Sequence, residues 1–376
     1  MPRAGQMGTA SVGRLTDRIG VGLLVRTFPP KLVDRVIADC GRTEQRSRLL
    51  PARTVLYYVL AMCLFSAESY REVARLLAHG LDWSDQSPGA HWMPTTAAIS
   101  RARAKLGSEP LKALFAAVAR PRAPGARGGR RDGHLRWRAH ALDAVVFGVP
   151  DSPENRGQFG PPVAGGPAQS AYPQVRLLTL SNWGTGVTSA TFGPRAVATS
   201  TLAERLLVGL KSSDLVLLCD CLTGRDPWPS VWGADRHLLW RAPSQTYLPV
   251  LSTLPDGSCL TEIPAAGRMA GAAGFPARLI TGAARETGGL LTTALDPMAS
   301  PVGPLAELHR ERTAFGFCLR ELGGQTPEAP GVVLRSRSPE GVEQELWAYL
   351  LIHHAVRSVL SRAEPPSPPP GAIGLP

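Results

Sequence analysis

Two aspartates occupy positions from which they could hold a metal ion. Asp143 lies inside an apolar, strand-like run (ALDAVVFGV), and Asp220 directly follows another such run (LVLLC). A carboxylate among strand residues is costly to bury unless it is paired or binds a metal. Two of them on neighbouring strands could hold Mg²⁺, which prefers oxygen ligands and supports phosphodiester cleavage. Because aspartates also cap strand ends for structural reasons, spacing alone leaves both interpretations open.

Basic side chains favour a polyanionic partner such as nucleic acid. The chain has 376 residues, a net charge of +11 and 41 basic residues, with an isoelectric point of about 9.9. A short helical pattern with Arg101, Arg103 and Lys105 follows a helical hairpin and suits DNA binding. A solvated helix face is the alternative. Arginine far outnumbers lysine, so a GC-rich coding sequence accounts for part of the charge equally well.

The elements that would position these residues change in kind along the chain. Residues 12–120 show helical periodicity and predict an all-α N-terminal domain for DNA binding. Residues 121–133 are rich in Arg, Pro and Gly and predict a basic linker. Strand-like runs at 139–149, 175–180, 187–192 and 215–219, with a helix at 201–210, predict an α/β fold with a mixed sheet. We assign 134–225 plus 304–362 to this core, 226–303 to a β-rich insertion and 363–376 to a disordered tail.

Several protein classes lack support in the sequence. The six cysteines form no CxxC pair and suggest neither a disulfide framework nor a zinc module. The N-terminus lacks the pattern of a signal peptide, and the longest apolar run is about half of a bilayer span. We therefore expect a cytoplasmic, nucleoid-associated protein without a membrane partner. A different metal-dependent hydrolase has no positive signal, since the P-loop, G-x-S-x-G and H-E-x-x-H motifs are missing.

Two sequence blocks carry a resemblance to a known family. Residues 149–155 read VPDSPEN, and residues 334–347 read LRSRSPEGVEQELW. Together with the flanking segments, in order over about 12–362, they resemble DDE transposases of the insertion-sequence-4 type. The resemblance implies a ribonuclease H-like core in which Asp143 and Asp220 are the first two catalytic, metal-binding aspartates. It also implies Mg²⁺-dependent cutting and joining of double-stranded DNA at terminal inverted repeats, with Mn²⁺ as a substitute, usually by a homodimer.

The third carboxylate of the family departs from its pattern. It belongs to a motif of Tyr, two residues, Arg, three residues, Glu, six residues and Lys. When Arg312 is set on the motif's Arg, His309 replaces Tyr, Gly316 replaces Glu and Gly323 replaces Lys. Arg312 remains as a phosphate contact or as a support for the catalytic helix.

The loss of that glutamate predicts weak metal binding, because a site short of one carboxylate lacks part of its ligand set. Glu311 and Glu321 lie five residues to either side of Gly316, about 140° around a helix, and do not fit without a local shift. We therefore expect a transposase with lost or weakened activity. A non-catalytic DNA-binding protein, or an inhibitor of an active relative, is the alternative.

Overall fold

The computed structural model describes residues 20–43, 50–80, 94–120, 137–162, 170–182, 186–211, 214–218, 237–242, 248–263, 274–281, 289–311 and 332–363. The chain divides into two compact units. One comprises Met1–Phe115 and Trp347–Pro376, and the other comprises Ala116–Leu346.

Helices form the described part of the first unit. They are α1 (20–27), α2 (Pro30–Asp39), α3 (Ala52–Leu64), α4 (Tyr70–Gly80), α5 (Thr96–Leu106) and the start of α6 (Glu109–Val118). Their boundaries follow local signals. The backbone N–H of Ala98 donates to Thr95 Oγ1 at 3.2 Å at the start of α5, and Gly107, at φ 72°, ends that helix. Ser69 caps α4 in the same way, because the backbone N–H of Glu72 donates to its Oγ at 3.2 Å.

Helix α3 forms the centre of this unit. Its residues 55–63 are all buried, so the helix is covered on every side rather than along one stripe. The Tyr57 hydroxyl donates a hydrogen bond to the carbonyl of Phe28, and burial raises the pKa of Tyr57 to about 12. Phe115 packs against Trp347 with ring centroids 5.4 Å apart. The unit therefore has its own apolar core.

A nine-stranded sheet, in the order β3-β2-β1-β4-β5-β9-β8-β7-β6, organises the second unit. Strands β1 and β2 pair antiparallel, as do β2 and β3, whereas β4 and β5 run parallel to β1. The strands are β1 (Arg138–Gly148), β2 (Gln174–Asn182), β3 (Gly186–Pro194), β4 (Asp214–Leu218), β5 (His237–Arg241), β6 (Val250–Thr253), β7 (Cys259–Ile263), β8 (Phe275–Ile280) and β9 (Leu290–Thr292).

This order identifies a ribonuclease H-like mixed sheet, and the predicted fold class is confirmed. The meander β1–β3 followed by parallel β4 and β5 gives the core its topology. The strands of 237–292 do not form a detached layer. They continue the same sheet, because β5 pairs parallel with β4 and antiparallel with β9.

Helices pack on both faces of this sheet. Helix α8 (Thr199–Leu207) covers one face through Leu202 and Leu206, which contact Leu142 and Leu218. Helix α9 (302–311) covers the other face through Leu305 and Leu308. Two further helices complete the set. Helix α7 (Pro153–Phe159) follows β1, and α10 (Pro339–Ala363) is the last described element of the chain.

A fully buried arginine ties the loops that precede α9 to the sheet. Arg278 on β8 is 0% exposed. Its guanidinium donates to Asp256 Oδ2 at 2.7 Å and to Ser258 Oγ at 2.8 Å, both near the β6–β7 turn. It also donates to the carbonyls of Ser300 at 2.8 Å and of Ala294 at 3.4 Å. Burial lowers the pKa of Arg278, and the charge of Asp256 opposes that shift.

Candidate active site

Asp143 lies in the middle of β1, the strand at the centre of the ribonuclease H-like core. Asp143 is 6% exposed, and Thr179 lies directly opposite it on β2. Successive side chains of a strand point to opposite faces. Because Leu142 and Ala144 pack on the α8 side and Ala139 packs on the α9 side, Asp143 belongs to the face that α9 covers. A buried carboxylate is thus held on a rigid element.

The neighbouring strand β4 ends beside this carboxylate. It pairs with β1 from Asp214 to Leu218, and Leu218 lies opposite Leu142, the residue before Asp143. Asp220 lies outside the described residues, as do Arg312, Gly316, Gly323 and Glu321. His309 and Glu311 are half-buried at the described end of α9. The described chain therefore contains one of the two predicted aspartates.

The fit of a divalent metal ion depends on the number of oxygen ligands. Asp143 offers the hard carboxylate oxygens that Mg²⁺ prefers. Within the part of the chain that the structure describes, no group of three or more His, Cys, Asp or Glu side chains could hold a metal ion. Asp143 therefore suits such a site chemically but needs ligands from other residues.

A second buried carboxylate, missed by the sequence interpretation, lies at the opposite end of β4. Asp214 is 2% exposed. It accepts hydrogen bonds from Arg138 Nε at 3.1 Å and from the backbone N–H of Lys211 at 2.7 Å. His140 Nε2 lies 3.5 Å from it, and burial lowers the pKa of His140. Because Arg138 and Asp214 are also ladder partners, this cluster fixes the register of β1 and β4.

The three basic residues of α5 do not share one surface. Arg101 and Lys105 are exposed and lie one helical turn apart. Arg103 is 7% exposed, and its Nη1 lies 3.7 Å from Met62 Sδ of α3. Arg42, also exposed, donates to the carbonyl of Lys105 at 3.3 Å. Arg101 and Lys105 therefore form the exposed basic pair of this helix, and Arg103 packs behind them.

The two sequence blocks that carry the family resemblance meet in a buried polar network. Ser152 caps α7, and its hydroxyl donates to the carbonyl of Arg337 at 2.6 Å. Asn155, 0% exposed, donates from Nδ2 to the carbonyls of Pro150 at 2.9 Å and Ser336 at 3.0 Å. Each Ser-Pro-Glu sequence predicts the start of a helix. Neither sequence predicts that the two helix starts contact each other.

Glu345 completes this network from α10. It is 2% exposed, and it accepts hydrogen bonds from the hydroxyl of Ser336 and from the backbone N–H of Arg335 at 2.8 Å. Because the carboxylate itself is buried, these two donors replace the water that it loses. The network is thus structural: it fixes the segment 334–337 against α7 and α10.

Comparisons with known proteins agree with this architecture. Residues 18–116 match the family model described as insertion element 4 transposase N-terminal. The chain is 29% identical over 342 residues to the Escherichia coli protein "Transposase InsG for insertion sequence element IS4". The alignment covers 87% of this chain and 74% of that relative. The resemblance to IS4-type transposases is confirmed.

A second relative and one solved structure are also similar to this chain. The Escherichia coli "Putative transposase InsZ" is 26% identical over 220 residues, or 58% of this chain and 70% of the relative. The piggyBac transposase synaptic complex with hairpin DNA gives a TM-score of 0.44 at 10% identity, over 96% of this chain and 80% of that chain.

None of the helices in the described ranges has the length and apolar character to cross a bilayer.

Proposed function

We propose that this IS4-type transposase binds the DNA ends of an insertion sequence, and that its cutting and joining of strands is impaired by Gly316. The observation that carries the proposal is the buried carboxylate of Asp143 on β1, next to the point where β4 ends. Residues 12–120 bind DNA, and residues 134–225 with 304–362 carry out strand cutting and joining.

The chain connection from β4 supports a pairing of Asp143 with Asp220. Leu218 lies opposite Leu142, and neighbouring strands are about 4.8 Å apart. Asp220 follows Leu218 by two residues, which span at most about 7 Å. The pairing requires that the chain leave the strand after Leu218, because strict alternation turns Asp220 to the opposite face.

In this proposal Asp143 and Asp220 hold Mg²⁺, or Mn²⁺ in its place. The metal supplies, when bound, an activated water and charge stabilisation at the leaving oxygen. The chain contributes the two carboxylates, and Asp143 lies on β1, a rigid element that keeps its oxygens in position without reorganisation. Gly316 contributes no ligand atom, so metal affinity and strand cleavage are weak.

The exposed basic pair of α5 supports a DNA-binding role for the helical region. Arg101 and Lys105 supply phosphate contacts, and Arg103 stabilises the helix from behind. Arg312 is assigned to a phosphate contact near the carboxylates. On terminal inverted repeats we expect the protein to act as a homodimer, since two ends must be joined.

A strand-cleavage assay on duplexes carrying the terminal inverted repeats tests the proposal. We expect slow cleavage by the wild type with Mn²⁺, faster cleavage by Gly316→Glu, and none by Asp143→Asn. Asp151→Asn is the matched control, because Asp151 follows the same strand but is exposed and paired with Arg156. Robust wild-type cleavage that Asp143→Asn abolishes contradicts the impairment. Cleavage that survives Asp143→Asn contradicts the assignment of Asp143.

A non-catalytic role follows if Gly316 abolishes the chemistry completely. The protein then occupies transposon ends, or inhibits an active relative through mixed dimers. Binding of the inverted repeats without cleavage by either the wild type or Gly316→Glu favours this second function. Loss of an active relative's cleavage when the two proteins are mixed supports the inhibitor form of it.

A further inference from the structure

The segment that leads into α10 presents arginines in a regular pattern. Val333 forms a parallel bridge with Gly148 at the end of β1, and residues 334–338 lead from this bridge to α10. Leu334 and Ser336 point inward and are 2% and 6% exposed. Arg335 and Arg337 alternate with them and face outward, Arg337 exposed and Arg335 half-buried.

Hydrogen bonds from outside the segment hold the backbone of all four residues. The bonds are Leu334 N–H to Gly148 O at 2.8 Å, Arg335 N–H to Glu345 Oε2 at 2.8 Å, Asn155 Nδ2 to Ser336 O at 3.0 Å and Ser152 Oγ to Arg337 O at 2.6 Å. The donors and acceptors come from β1, α7 and α10. The two arginines therefore project from a backbone that is already fixed.

We propose that Arg335 and Arg337, called the arginine strip below, bind the phosphates of a DNA strand that leads to Asp143. The inference deepens the proposed function and rests on it. Guanidinium groups match phosphate geometry through paired N–H donors. A backbone that is already ordered loses less conformational entropy when these contacts form.

The place of the strip in the sheet agrees with this role. Gly148 is five residues beyond Asp143 on β1, which corresponds to about 17 Å along the strand. The arginines follow Val333, the parallel bridge partner of Gly148, so they lie at least this far from Asp143, which is five or more phosphates of one DNA strand at about 3.4 Å per phosphate along the helix axis. Binding sites of α/β sheets lie beyond the carboxyl ends of the strands, which is the end where the strip lies.

An apolar surface lies beside the arginines. Tyr172 is 41% exposed and Val333 is 38% exposed. Both lie close to Gly148, where an added Cβ would be 3.2 Å from Val333 Cγ2 and 3.6 Å from Tyr172 Cβ. An exposed aromatic ring next to phosphate-binding arginines is typical of surfaces that contact nucleic acid strands.

The salt dependence of DNA binding tests the strip. We compare the wild type with the double variant Arg335→Gln and Arg337→Gln, using a labelled duplex that carries the inverted repeat. Each lost phosphate contact lowers the slope of log K against log salt by about 0.9, so we expect a decrease of about 2. The pair Arg335→Lys and Arg337→Lys keeps the charge and should retain most of the slope.

A charge-matched control separates the strip from a general effect of charge. The double variant Arg205→Gln and Lys211→Gln removes two exposed positive charges elsewhere in the same unit and should leave the slope unchanged. If the wild type binds but the strip variant keeps its slope, with unchanged thermal unfolding, the strip is wrong and the proposed function stands. If the wild type shows no salt-dependent binding, the proposed function itself fails.

Discussion

His353 on α10 shows how burial of a single residue makes stability depend on pH. The residue is 1% exposed, and its Nδ1 has no hydrogen-bond partner within the described part of the chain. Burial, together with the charge of Arg357 and the neighbouring His354, lowers the pKa of His353 to about 4 from its usual 6.5. The folded protein therefore holds this imidazole neutral under mildly acidic conditions.

Acidification should destabilise the protein through His353. Above pH 6.5 the residue is neutral in both states, and between pH 6.5 and 4 only the unfolded state binds the proton. Stability is therefore lost as the pH falls through this window, by about 2 kcal/mol at pH 5. Urea denaturation at pH 7 and pH 5 measures the loss.

His353→Leu provides the comparison, since leucine cannot take up a proton. Between pH 7 and pH 5, the variant should lose about 2 kcal/mol less unfolding free energy than the wild type loses. An identical difference at the two pH values contradicts the assignment to His353.

Asn155 connects α7 to the segment before α10, and its removal should loosen both elements. Asn155→Leu keeps the side-chain size but removes the donor to the buried carbonyl of Ser336, whereas the carbonyl of Pro150 still accepts from the N–H of Ser152. One unsatisfied buried carbonyl costs about 1–3 kcal/mol, so we expect a loss of stability of that size. Chemical denaturation measures the loss, and hydrogen exchange should show faster exchange in the first turn of α10.

Gln158→Leu is the matched control on the same helix, because Gln158 is exposed. It should change stability by less than about 0.5 kcal/mol. Equal losses in both variants are incompatible with a specific role for Asn155.

Local sequence signals explain how much of the elements could be predicted. The helix that Thr95 caps and Gly107 ends was predictable from those two residues, and the runs at 175–180 and 215–219 became β2 and β4. The burial of Arg103 was not predictable, because it depends on how α5 lies against α3. The contact between Asn155 and Ser336 joins residues 181 positions apart, which no local pattern encodes.

The same distinction applies to the candidate site. Asp143 stood out because a carboxylate interrupts an apolar strand, and its place beside the end of β4 agrees with that interpretation. The sequence did not indicate that the strands from β5 to β9 extend the core sheet, since strand order depends on pairing between distant segments. The roles of Asp220 and Arg312 stay predictions, because both lie outside the described residues.

The whole molecule ends its sheet on an exposed edge strand, β6, which should affect self-association. Val250 and Leu251 are each 60% exposed on this strand. Unprotected apolar edges template pairing with other chains, and lysine on an edge prevents it. Leu251→Lys should slow aggregation several-fold on heating, as light scattering measures, with little change in the unfolding midpoint.

Val208→Lys tests whether charge alone explains that effect. Val208 is 79% exposed at the end of α8, which contacts β3 at the edge of the sheet opposite to β6. We expect little change in aggregation from this variant. If it protects as well as Leu251→Lys does, net charge rather than the edge strand limits association.

The hydrogen bonds of the buried Arg278 affect how fast the native sheet unfolds. Its acceptors come from the β6–β7 turn, from Ala294 and from Ser300, so the guanidinium is satisfied only after these stretches have converged. We expect contacts between such separate stretches to be absent from the folding transition state, so that Arg278 acts mainly by slowing the unfolding of the assembled sheet.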